Sequence, residues 1–214
     1  MDIFKKLNLN PRIIEEVFSP FNGPIQVVES FGQKKIMAGG LIQSGGVLGN
    51  IWDKGLREVI SCQLPVNSIL ILGLGGGTVA QLVAAHWPAA NIIGIEIDPV
   101  MIQLGKKYFD LDKLLKLRII EADAIKYVAS CHEKFDLILI DLYRGEKVEP
   151  KSESPEFLKS LKSILATPGE VIVNRLFYEK HKELAQIFIG KAEVVFDKIN
   201  LIRAWSNMLV FMSK

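Results

Sequence analysis

Cysteine is nearly absent from this chain. Cys62 and Cys131 are the only two in 214 residues, too few and too far apart for a disulfide framework or a paired-cysteine metal site. Histidine is almost as scarce. His86, His132 and His181 share no ligand spacing, so no metal site is expected. No apolar run approaches the roughly 18 residues that a membrane-spanning helix needs. No secretory leader is legible at the N-terminus, so a cytoplasmic protein with reduced, buried thiols is expected. The net charge is only +2, and no basic run is interleaved with aromatics. That excludes an electrostatic footprint for nucleic acid. Repeats and low-complexity segments are also missing.

What is present is a chain that is 49% apolar and long enough for one substantial core. Its most informative stretch runs from Ser68 through the apolar Ile69–Leu72 into Gly73-Leu74-Gly75-Gly76-Gly77-Thr78. About twenty residues on, Asn91–Ile95 ends in Glu96, Ile97 and Asp98. Strand, glycine turn, helix, strand and carboxylate together describe a mononucleotide-binding βαβ unit. A carboxylate at the tip of the second strand can accept both hydroxyls of a ribose. Thr78 stands where a dinucleotide fingerprint has its third glycine, and no Lys-Ser/Thr pair follows the turn. Both dinucleotide and P-loop triphosphate binding are therefore disfavoured.

Two more apolar runs end on acids. Lys116–Glu121 leads to Asp123 and Ala124, and Phe135–Ile140 leads to Asp141, Leu142 and Tyr143. Carboxyl ends of parallel strands line the ligand crevice of such sheets, so Gly73, Glu96, Asp123 and Asp141 should converge. Taken singly, each acid reads equally well as a helix cap. The rest of the chain predicts a helix over residues 1–18 broken at Pro11, and a hairpin of Ile25–Glu29 with Lys34–Ala38. Helices follow at Ile51–Ser61, Val100–Tyr108, Pro155–Leu165 and Glu179–Gly190. Strands follow at Gly169–Leu176, Glu193–Asn200 and Asn207–Met212. Arg144–Ser154 is polar and reads as a surface loop or a lid. The division expected is residues 1–62 as an N-terminal helix and β-hairpin region, and 63–214 as the nucleoside-binding domain.

At ILILGLGGGT, IIGIEIDPVMIQLGKKYF, IIEADAIKYV and KFDLILIDL the chain resembles the spermidine-synthase-like branch of the class I S-adenosylmethionine-dependent methyltransferases. The resemblance implies an α/β, Rossmann-like fold with a seven-stranded, mostly parallel sheet whose last strand inserts antiparallel. It implies that Gly73, Leu74, Gly75, Gly76 and Gly77 hold the amino-acid end of the cofactor. Glu96 and Ile97 would take the ribose, Asp123 and Ala124 the adenine, and Gln43 a further cofactor contact. Asp141 would lie between cofactor and acceptor, orienting the nucleophile or taking its proton. Tyr143 would assist as a catalytic or substrate-binding residue, with Trp52 and Arg144 also on the acceptor side.

The departures matter as much. Aminopropyltransferases of this branch carry an aspartate where this chain has Gly76, and another where it has Arg144. Trp52 replaces a tyrosine that helps hold the diamine. An ammonium left without a counter-ion is costly to bury, and an arginine repels a dication. The expected donor is therefore S-adenosyl-L-methionine, with the decarboxylated form as the alternative. Methyl transfer to a small-molecule or protein amine is favoured over aminopropyl transfer and over a non-catalytic nucleoside-binding role. A homodimer is expected, because spermidine synthases commonly dimerise.

Overall fold

The computed structural model describes residues 12–214. Their chain order begins with four antiparallel strands, β1 (Arg12–Ser19), β2 (Gly23–Ser30), β3 (Gln33–Ala38) and β4 (Leu41–Ser44). Helix α1 (Val47–Ser61) leads to β5 (Ser68–Leu72), α2 (Thr78–His86), β6 (Asn91–Glu96), α3 (Pro99–Phe109), β7 (Leu117–Glu121), α4 (Ala124–Ser130) and β8 (Phe135–Ile140). A two-stranded ribbon follows, β9 (Tyr143–Arg144) with β10 (Lys147–Val148). The chain ends with α5 (Pro155–Ile164), β11 (Leu165–Leu176), α6 (His181–Glu193), β12 (Lys198–Ala204) and β13 (Asn207–Ser213).

Seven strands form one sheet in the order β12-β13-β11-β8-β5-β6-β7. β5, β6, β7, β8 and β11 run parallel, and β13 inserts antiparallel between β11 and β12. The order reverses direction at β5, and the crevice beside such a switch point is where ligands bind. The central strands read as near-continuous apolar runs because they are buried on both faces. One face packs Leu70, Ile138, Val173 and Val210 against Leu158 and Leu161 of α5 and Phe188 of α6. The other packs Ile69, Ile71 and Leu139 against Trp52 and Leu56 of α1 and Val79 and Val83 of α2. The N-terminal sheet has its own core, Ile25, Val27 and Ile36 against Met101, Leu104 and Phe109 of α3. Asp98 fastens the two parts: it caps α3 by accepting from the Val100 N–H and also accepts from Asn22 and from the Ser19 hydroxyl.

Three expectations need correction. Residues 12–18 are strand, not helix: Ile13 and Val17 pair with β2 on either side of a register shift at Ile14, and this long-range pairing overrides the helical spacing. Residues 1–11 of that expected helix lie outside the described residues. The hairpin of Ile25–Glu29 with Lys34–Ala38 forms as expected, within a four-stranded sheet. Glu193 closes α6, so the strand expected from Glu193 starts only at Lys198. Cys62 is the exposed C-cap residue of α1 rather than a buried thiol, and Cys131 is half-buried.

Candidate active site

The glycine turn is shaped by its neighbours more than by a ligand. Gly73 has φ 85°, and a Cβ there would come within 2.4 Å of the Asp141 carbonyl oxygen, so only glycine lets β5 and β8 end side by side. Leu74 points into the core over Gly94, where no side chain stands in its way. Gly77 is the left-handed N-cap of α2, covered by Leu111. The N–H groups of the three glycines are occupied: Gly75 donates to Glu96 at 2.7 Å, Gly76 to the Ser44 hydroxyl at 2.7 Å, and Gly77 to the Leu74 carbonyl at 3.0 Å. The turn offers close approach rather than donors.

Gly76 itself does not reach the cleft. A Cβ at that position would stand 2.5 Å from Ile36 and 2.8 Å from the Ser44 oxygen. Ser44 thus fills the space that a side chain at 76 would need. Thr78, in place of a third glycine, accepts from the Gly45 N–H at 2.7 Å. These two bonds clamp the end of β4 to the turn. Just before the clamp, Ile36 pairs with Ser44 and Met37 with Ile42, so Gln43 is the extra residue of a bulge. Bulges re-aim side chains, and Gln43 lies along the cleft with its Nε2 on the Ala38 carbonyl at 3.4 Å. Among the described residues its second N–H has no partner.

The strand-end acids converge as the spacing predicts. Glu96, Ile97, Asp123, Ala124, Asp141, Tyr143 and Arg144 all line one cleft with Gln43, Gly73 and Gly75. Its volume, about 830 Å³, lies within the usual range for a small-molecule site. Glu96 is buried and accepts from Gly75, Ile97 and Asp98 N–H groups at 2.7–3.0 Å. Burial pushes its carboxyl above the usual range, against the pull of those bonds. A carboxylate has about four acceptor positions, so one remains for a hydroxyl. Asp123 caps α4 through one oxygen, accepting from Ile125 at 2.8 Å and Lys126 at 3.3 Å. It is cap and cleft residue at once, and its other oxygen is unused among the described residues. This acceptor set fits a nucleoside.

Asp141 accepts from the Trp52 indole N–H at 3.0 Å and from the Asn174 amide at 3.1 Å. Burial dominates over both bonds and raises its pKa to about 6. Trp52 is fully buried and holds Asp141 from behind, so it is not on the cleft wall as expected for a substrate contact. The Tyr143 hydroxyl donates to the Asn174 carbonyl at 3.3 Å and accepts from the Leu176 N–H at 2.8 Å. Burial raises its pKa, and the residue lines the cleft. Sequence reasoning missed Asn174 and Asn207. Asn207 donates to Asn174 at 2.8 Å, and the exposed Ser206 hydroxyl donates to Asn207 at 2.9 Å, so a polar chain runs from Asp141 along the cleft. The one signal was the polar Asn174 interrupting the apolar run Val171–Val173 beside strand β8.

The segment expected as a loop or lid is folded. Its β9–β10 ribbon lies along the cleft, and Pro150–Glu153 forms a 3-10 turn anchored by Glu153 on the buried Arg175 guanidinium. At the ribbon turn, Glu146 accepts from Tyr178 at 2.9 Å and lies 3.4 Å from His181.

A mostly parallel sheet with a cleft of small-molecule size at its switch point defines an α/β protein of the doubly wound class. The spermine/spermidine synthase domain matches residues 55–206. The chain belongs to that family. It is 34% identical over 109 residues to a polyamine aminopropyltransferase of Vibrio vulnificus, covering 50% of this chain and 36% of that protein. It is 30% identical over 117 residues to an eEF1A lysine and N-terminal methyltransferase homolog of Drosophila melanogaster, covering 50% of this chain and 17% of that one. The matches thus span about a third or less of these relatives' lengths. In fold, it superposes on the crystal structure of a probable spermidine synthase from Corynebacterium glutamicum with a TM-score of 0.79 at 20% identity, over 94% of this chain and 79% of that one.

Proposed function

We propose that the protein is an S-adenosylmethionine-dependent transferase that methylates an amine. The observation that carries this reading is the absence of any acid in the glycine turn, where Gly75 lines the cleft and Gly76, packed on Ser44, leaves no room for a side chain. Where aminopropyltransferases of this branch present an aspartate to the ammonium of a decarboxylated donor, this chain has no side chain, and Ser44 fills the space. A donor that keeps its carboxylate meets no opposing acid there. The turn amides are already bonded, so the preference comes from absent repulsion, assisted by the free N–H of Gln43.

Glu96 would take a ribose hydroxyl through its remaining acceptor position, and the free oxygen of Asp123 the adenine amino group. When bound, the donor supplies a sulfonium-activated methyl carbon. Asp141 would orient the acceptor nitrogen and take the proton it sheds, since a carboxyl with a pKa of about 6 is a better base than an ordinary aspartate. Trp52 and Asn174 fix that carboxylate in place, and the Tyr143 ring helps exclude water.

Aminopropyl transfer is the second reading, favoured by the aminopropyltransferase relative. Mass spectrometry of nucleosides released from the purified protein separates the two. S-adenosylmethionine or S-adenosylhomocysteine is expected. Methylthioadenosine or the decarboxylated donor would overturn the methyl-transfer reading.

A further inference from the structure

The ribbon beside Asp141 carries its charges in an arrangement that the fold does not require. Lys147 pairs directly with Arg144 across β9 and β10, so the two cationic side chains leave the same face of the ribbon. Like charges directly opposite one another destabilise an antiparallel pair. Both residues line the cleft, and Lys151 joins them on the following turn. Among the described residues, none of the three forms an ion pair.

The nearby acids do not answer them. Glu146 is turned to Tyr178 and His181, and Glu153 to Arg175. Glu149 also lines the cleft, where it bonds the Lys151 backbone N–H at 3.5 Å. Asp141 is held by Trp52 and Asn174. The acceptor end therefore has one buried carboxylate, apolar walls such as Ile42, Val47 and Leu176, and a cationic ribbon left to find an anion.

We propose that the acceptor is a small amine carrying a carboxylate or a phosphate, with Arg144 and Lys147 gripping the anion while Asp141 addresses the nitrogen. This rests on the transferase reading above. Arg144 is three steps along the chain from Asp141, so their Cα atoms are at most about 11 Å apart, which matches a short aliphatic spacer between nitrogen and anion. The planar arginine fork suits either a carboxylate or a phosphate. A diamine, positive at both ends, is repelled by the same ribbon.

The test is calorimetric titration with 1,4-diaminobutane, 4-aminobutyrate and O-phosphoethanolamine, each with and without S-adenosylhomocysteine. The wild type should bind the two anion-bearing probes about tenfold or more tighter than the diamine. The stronger of the two identifies the anion. Arg144→Gln with Lys147→Gln should abolish the preference, and Arg144→Glu with Lys147→Glu should invert it. The proposal is overturned if the diamine binds as tightly as the anionic probes, if neither anionic probe binds, or if both double variants keep the wild-type order. The heat of S-adenosylhomocysteine binding is read separately: its absence removes the nucleoside reading, while the order of the probes judges the acceptor class by itself.

Discussion

Burial of Asp141 between Trp52 and Asn174 decides when its carboxyl ionises. Its pKa rises from 3.8 to about 6 in the fold. Between those values the folded protein holds a proton that the unfolded chain has released. The group's contribution to stability is therefore complete below about pH 4 and is lost as pH rises through 6, a change on the order of 3 kcal/mol. Urea midpoints measured from pH 4 to 7 should fall along this window in the wild type and lose that component in Asp141→Asn. An identical slope in both proteins would refute the assignment. For catalysis the sign reverses, because only the ionised form can take a proton. Turnover should drop as pH falls below about 6.

At the scale of elements, the clamp between β4 and the glycine turn holds the donor end of the site together. Ser44→Ala would strand the buried Gly76 N–H, and Thr78→Val would strand that of Gly45, each costing about 1–3 kcal/mol. Because both bonds secure one junction, the double variant should lose less than the sum of the two. Additive urea-unfolding losses would contradict a shared clamp. The parallel strands β5 to β8 and their terminal acids are legible in the sequence, because burial on both faces writes them as unbroken apolar runs. Strand β1 is not: Ile13, Ile14 and Val17 fit a helical period as well, and only pairing with β2 decides. The Ser44 contact is equally hidden, since Gly76 lies 32 residues away and no local pattern links them. Asn174 and Asn207 owe their roles to each other across 33 residues, and a lone asparagine in a strand has no spacing to betray it.

For the whole molecule, the N-terminal sheet region leaves the apolar side chains of Ile13, Phe18 and Phe31 exposed, surface that a second copy would cover. We propose a homodimer, for which light scattering should give about twice the 23.9 kDa of one chain. A mass near 23.9 kDa at micromolar protein would contradict it. Among the described residues no helix is long and apolar enough to cross a membrane. The two ends of the cleft act together in this account: the glycine turn lacks the acid that would select a decarboxylated donor, and the ribbon lacks the acid that would hold a diamine. The most direct test of that claim is calorimetry of the wild-type protein with S-adenosylmethionine and with its decarboxylated form under the same conditions. The account predicts tighter binding of S-adenosylmethionine, by about tenfold or more, equivalent to about 1.4 kcal/mol. Equal or tighter binding of the decarboxylated donor would contradict it.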